Sequence, residues 1–196
     1  ILGDMIKKKT SCSILFISID RFKFISSSQG YHIGDLIIKF MGKRLFELCE
    51  FLNIKIKSFR LEGSTFCLLI DSADKNNAIQ VIKFIQSKMD EPLCVEKHSY
   101  YLNLSLGVCH YPQDGQSAQT LITNGNAALN HACIQGDCSE QYSLKLHAAE
   151  QSWLPIEAGM RTALKKKQFV LHYQAKVDAQ NTQIKGAEAL IRWVDN

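Results

Sequence analysis

The first strong pattern along the chain is SILFISI at residues 13–19, an apolar run rich in β-branched residues with polar residues on both sides, which predicts a strand. At Gly34 and Asp35 the spacing changes to threes and fours. Ile38, Met41, Leu45, Leu48 and Leu52 then mark one face of a helix opened by that pair. Two more strands are predicted at 55–61 and 65–70, joined by a turn at Gly63. A helix starting near Asp74 shows Ala78, Ile82, Ile85 and Met89 on one face and stops before Pro92. Alternation over 99–110 predicts a fourth strand, and a helix follows over 118–133. The order strand, helix, strand, strand, helix, strand, helix predicts an α+β fold, a ferredoxin-like split βαβ sheet with one helix appended.

Beyond Gly136 the pattern breaks. The polar stretch DCSEQYS predicts the exit from a first domain over 1–140, with 141–153 as a linker. A helix is then predicted over 154–166, with Pro155 in its first turn. FVLHYQAKVD and IKGAEALIRW follow as two strands around a polar turn at Gln180 and Asn181. One helix and one hairpin cannot bury much core alone. Residues 154–196 are therefore expected to be the opening piece of a second domain.

Composition narrows the class. The chain has 196 residues, 46% hydrophobic and 21% charged, as expected of a soluble protein with a real core. No run nears the roughly 18 apolar residues that span a bilayer. ILGDMIKKK puts its charges after its apolar residues, unlike a secretory leader. The segment is expected to touch no membrane and to be cytoplasmic, on its own or as the cytoplasmic part of a membrane-anchored protein. The net charge of +4 is spread out, and its densest clusters, Lys7–Lys9 and Lys165–Lys167, lack the interleaved aromatics of a nucleic-acid surface. The second cluster suits the negative end of a helix dipole. Seven scattered cysteines, an odd number, favour buried, reduced thiols over a disulfide framework. His131, Cys133 and Cys138 lack the second CxxC pair a zinc site would need.

Four segments in order, FISIDRFKFISSSQGYHIGD, RLEGSTFCLLI, LSLGVCHYPQDG and NAALNHACIQGD, resemble a GGDEF domain, the diguanylate cyclase that condenses two GTP into cyclic di-GMP. FVLHYQAKVD and GAEALIRW resemble the opening of an EAL domain, the (β/α)-barrel phosphodiesterase that cleaves that product. The first resemblance implies a nucleotidyl-cyclase-like sheet over residues 1–140, with the family signature before the first strand cut away. The second implies a short helix and a β-hairpin that begin a barrel.

A cyclase needs carboxylates that hold magnesium against the transferring phosphoryl group. The resemblance places those positions on Ser18, at the end of the first strand, and on the hairpin turn, where Gly-Gly-Asp-Glu becomes Glu62, Gly63, Ser64 and Thr65. Ser64 and Thr65 are neutral, and Glu62 puts a negative side chain where a phosphate would pack. The guanine-reading asparagine falls on Ser26, the basic phosphate contacts fall on Cys133 and Asp137, and the allosteric Arg-x-x-Asp pair falls on Asn53 and Ile56. Lys23 and Asp35 match GTP-contacting positions, Asp20 is the second acid of the strand motif, and Gly63 keeps the turn. Taken without the resemblance, Asp35 caps a helix, Lys23 and Asp20 face solvent, and Gly63 serves the hairpin. In the EAL-like part, Glu188 matches a metal ligand, Arg192 a phosphate contact and Gln174 a ligand-side position, with Leu190 completing the motif and Ala175 replacing a proline.

The resemblance implies a catalytically inactive GGDEF-like module that regulates or scaffolds an adjoining EAL phosphodiesterase or cyclic-di-GMP receptor. It implies no cofactor for the first part, and magnesium or manganese only in a complete EAL domain. The expected partners are the rest of that domain in cis, cyclic di-GMP or GTP as ligand, and a second copy, but no nucleic acid. A GTP-binding allosteric domain and a nucleotide-independent interaction module are the alternatives.

Overall fold

The computed structural model describes the backbone of residues 2–194 and the side chains of 2–146 and 156–194. Two compact units divide the chain, Ile1–His147 and Ala148–Asn196.

In the first unit, a short helix α1 (Leu2–Lys7) precedes the central strand β1 (Cys12–Ile19). Helices α2 (Phe22–Gln29) and α3 (Tyr31–Phe51) follow, then the hairpin of β2 (Ile56–Arg60) and β3 (Thr65–Ile70). Helix α4 (Asn76–Met89) leads to a small separate hairpin, β4 (Leu93–Val95) with β5 (His98–Tyr100). Strand β6 (Leu104–Tyr111), helix α5 (Ala118–Gln135) and strand β7 (Ser139–Gln141) complete the unit. The sheet order is β2-β3-β1-β6-β7, antiparallel except where β7 runs parallel to β6. Its first four strands have the connectivity of the expected split βαβ sheet.

Alternation along the strands sorts the apolar side chains onto two faces. Leu15, Ile17, Leu68 and Leu106 pack on one face against Ile37, Met41 and Leu45 of α3 and Val81 and Ile85 of α4. Ile14, Phe16, Leu69 and Cys109 pack on the other, with Leu121 and Leu129 of α5. Two glycines let α5 settle onto the strands. A Cβ on Gly107 would lie 2.6 Å from the Gly125 carbonyl oxygen and 2.7 Å from Leu129 Cα, and one on Gly125 would run into the Phe16 ring.

The first unit differs from the sequence expectation in four places. The helix after β1 begins at Tyr31 rather than at Gly34–Asp35, so Asp35 lies inside α3 and caps nothing; Gly30 is the cap. Phe22–Gln29 is a helix of its own, docked where Ser26 meets Gly34 across α2 and α3. The stretch 99–110 is not one strand, because its first residues belong to the β4–β5 hairpin. The polar DCSEQYS stretch contributes β7, an edge strand whose polar residues suit a solvated position.

The helix expected over 154–166 belongs to α6 (Leu144–Lys165), which starts before the second unit, so Pro155 falls within its span and not in its first turn. The side chains of Leu154 and Pro155 lie outside the described residues. The helix ends at Lys165 as the dipole argument expects. Strands β8 (Phe169–Val177) and β9 (Ile184–Trp193) pair antiparallel, the Trp193 ring lying over Gly159 and beside Phe169.

Candidate functional site

The polar end of the central strands is built by register. Ser18 pairs with Thr65 of β3 on one side and with Ser105 of β6 on the other. Paired residues point to the same face of a sheet, so three hydroxyl residues line one row beside the end of α5. The turn between β2 and β3 closes tightly: Leu61 N donates to Thr65 O (3.0 Å), Thr65 N donates to Glu62 O (2.9 Å), and Gly63 takes φ 54°. Arg60 braces it by donating from its guanidinium to the Gly63 carbonyl (3.1 Å). Ile19 N donates to Ser64 O (3.4 Å), which ties the turn to the end of β1. Ser64 and Thr65 are half-buried, whereas Glu62 and Gly63 are exposed.

Asp20 organises the neighbouring space. Its Oδ1 accepts from Ser105 Oγ (2.6 Å) and its Oδ2 from the backbone N–H of Asp137 (2.8 Å). Its own N–H donates to the Asn103 carbonyl (3.0 Å). The end of β1, the start of β6 and the segment after α5 are thus drawn onto one carboxylate. Asp20 does not simply face solvent. Cys133 of α5 adjoins the same groups. Burial pushes its thiol up, and the Asp20 carboxylate adds to that, while hydrogen bonding with Ser105 and Ser18 works against it.

Together these segments line an open cavity of about 800 Å³, walled by Ser18, Asp20, Arg21, Asn103, Cys133 and Asp137. Phe24, Tyr101 and Ile134 stand at it with most of their surface exposed. Several expected residues are elsewhere. Lys23 and Asp35 are exposed on α2 and α3 and line no part of this cavity, and Ser26 is buried against Gly34. Ser105, Asn103, Tyr101 and Phe24 join the site without having been singled out from sequence. Their one signal was polar Asn103 and Ser105 interrupting LNLSLGV on alternate positions. Among the described residues, no three His, Cys, Asp or Glu side chains cluster in a way that could hold a metal ion. The hydroxyls of Ser18 and Thr65 are weak ligands for a hard dication, which prefers carboxylates.

The positions expected from the EAL resemblance share a face of the second hairpin. Gln174 pairs with Glu188, His172 with Leu190 and Val170 with Arg192, so Glu188, Leu190 and Arg192 point the same way as Gln174. Lys176 Nζ lies 3.6 Å from Glu188 Oε2, and Arg192 donates to the Ile191 carbonyl (3.0 Å).

The model of the diguanylate cyclase GGDEF domain family matches residues 2–138. The chain is 34% identical over 188 residues to the bifunctional diguanylate cyclase/cyclic di-GMP phosphodiesterase MucR of Pseudomonas aeruginosa, covering 92% of this chain and 26% of that protein. It is 29% identical over 182 residues to the cyclic di-GMP phosphodiesterase NbdA of the same organism, covering 92% and 23%. The chain spans about a quarter of the length of these curated relatives. In fold it resembles the GGDEF domain of YfiN (TpbB) from P. aeruginosa, with TM-score 0.66, 23% identity, and 73% of this chain and 89% of that one covered. The active GGEEF domain of a diguanylate cyclase from Vibrio cholerae gives TM-score 0.61 at 17% identity, with 72% and 89% covered. The split βαβ sheet, the Gly63 hairpin beside the end of β1 and the family match over residues 2–138 lead to one conclusion: the chain belongs to the diguanylate cyclase GGDEF domain family.

Proposed function

We propose that this chain carries a non-catalytic GGDEF module that regulates or scaffolds an adjoining EAL domain in cyclic-di-GMP signalling. The observation that carries the reading is the pairing of Ser18 with Thr65. The positions at which a cyclase of this family presents carboxylates to magnesium carry hydroxyls here. Asp20, the remaining acid just beyond the strand, has one oxygen hydrogen-bonded by Ser105 and the other by the Asp137 N–H. With no charge to offset the transferring phosphoryl group, the reaction loses its electrostatic support. GTP, magnesium and the full chain, assayed for cyclic di-GMP, test the reading; product at the rate of an active family member would overturn it.

The match to MucR and NbdA covers 92% of the chain and so runs past residue 138, and both names include a phosphodiesterase. This supports reading residues 154–196 as the start of an EAL domain, with the remainder supplied in cis. Glu188 would then be a ligand for magnesium or manganese, and Gln174, Leu190 and Arg192 would belong to the cyclic-di-GMP site. The paired strands fit that role. Leu171, Tyr173, Ile184 and Ile191 are more than half exposed, apolar surface that further strands of a barrel would cover. Titrating the intact parent with cyclic di-GMP, with and without the metal, would distinguish a phosphodiesterase from a receptor.

A further inference from the structure

We infer that the cavity at the end of β1 binds an uncharged planar aromatic ring without a metal ion. The inference rests on the non-catalytic reading above and extends it to a ligand. At about 800 Å³ the cavity falls within the range used for small molecules. Three large apolar side chains from three separate segments converge on it: Phe24 of α2 (71% exposed), Tyr101 before β6 (71%) and Ile134 of α5 (72%). Single exposed apolar residues are ordinary, but several gathered around one polar-floored cavity mark a recognition surface. Two of them are aromatic, and aromatic faces stack on heteroaromatic rings regardless of sequence or substituent.

Charge decides which rings fit. The walls bring the carboxylates of Asp20 and Asp137 against the single cation of Arg21. Each Asp20 oxygen already accepts a hydrogen bond, and among the described residues no three His, Cys, Asp or Glu side chains cluster here to hold a metal ion. Without a metal, a triphosphate would bring several negative charges to walls that are themselves net negative. A neutral ring avoids that repulsion, and the Ser18 hydroxyl and Asn103 side chain can meet the polar edge of a heterocycle.

Adenosine and guanosine are suitable probes, because each differs from ATP or GTP only in the charged chain. Isothermal titration of the whole chain should show both nucleosides binding, each at least roughly tenfold more tightly than its triphosphate, with or without magnesium. Tyr101→Ala and Phe24→Ala should each weaken nucleoside binding by about fivefold or more. Both side chains are exposed, so the unfolding midpoints should not move, which separates lost binding from lost fold. No nucleoside binding, triphosphate binding as tight as nucleoside binding, or indifference to both substitutions would overturn the inference. Cyclic di-GMP formed from GTP and magnesium would overturn the non-catalytic reading, whereas the titrations alone decide the ring site.

Discussion

From Cys12 to Ile17, β1 is sealed on both faces, whereas its end at Ser18 and the turn residue Asp20 just beyond it give hydroxyl and carboxylate groups to a cavity. The sealed part is held by shape: Phe16 fills the space over Gly125, and α5 lies against Gly107. The polar part is held by a few hydrogen bonds that converge on Asp20. Shape and chemistry are thus carried by different residues of one strand. On the non-catalytic reading, a GGDEF sheet can persist around different polar residues, because its packing rests on other side chains.

The largest effect should come from breaking the sealed part. Gly107→Ala places a Cβ against backbone atoms of Leu129 and Gly125, which cannot rotate away. It should cost about 3 kcal/mol in urea unfolding. Gly42→Ala is the control. Its Cβ would meet only the Phe66 ring, at an ordinary 3.5 Å. Relieving a helix of its glycine should stabilise by about 0.5–1 kcal/mol. Equal effects at the two sites would contradict the close approach of α5.

A polar pair within the sealed part should give the next effect. Ser13 Oγ and His110 Nδ1 lie 2.7 Å apart, both residues buried. Ser13→Ala would leave the ring nitrogen without its partner, at about 2 kcal/mol. Burial pushes the His110 imidazole below its ordinary 6.5, the Asp114 carboxylate works against this, and Lys75 adds to it. The unfolded chain therefore takes up the proton first as the pH falls. This contribution to stability is complete above pH 6.5 and is lost as the pH drops through the folded value. Urea midpoints from pH 8 to pH 5 should show that fall, and a Gln at His110 should flatten it.

The polar end should respond more weakly. Asp20→Asn removes the charge from two accepted hydrogen bonds and turns one acceptor oxygen into a donor facing Ser105 or the Asp137 N–H. A loss of about 1 kcal/mol is expected, read from the thermal midpoint. A variant as stable as the parent would mean that Asp20 does not hold these segments together.

What sequence could and could not show follows the same division. β1, α3, α4 and α5 were legible because long apolar patterns mark faces that the sheet buries. Helix α2 was hidden because Ser26, Ser27 and Ser28 have weak helix propensity and its eight residues carry little periodicity. The three-residue strands β4, β5 and β7 are too short for alternation to register. At the site, Ser18, Ser64, Thr65, Cys133 and Asp137 were reached by aligning motifs. The bond from Asp137 to Asp20 joins residues 117 positions apart, which no local pattern encodes. Lys23 and Asp35, which the motifs also suggested, stand outside the cavity because helix geometry turns them to solvent.

The smallest effect tests the division most directly. Ser18→Asp with Thr65→Glu places two carboxylates directly opposite each other across β1 and β3. Both positions are half-buried at the sheet end, so the added groups keep access to water. Without a dication their repulsion should cost about 0.5 kcal/mol, a small shift in thermal midpoint. Millimolar magnesium should recover that shift in the double variant and leave the parent unmoved, because an oxygen-loving ion can bridge facing carboxylates. On the non-catalytic reading proposed above, cyclic di-GMP should still not form, since Cys133 offers no cation to a phosphate and Asp20 still accepts from Ser105 and Asp137. A double variant blind to magnesium would mean that strand pairing alone does not bring these side chains to one ion. One that makes product where the parent makes none would mean that, on the non-catalytic reading, these two hydroxyls are what blocks the reaction.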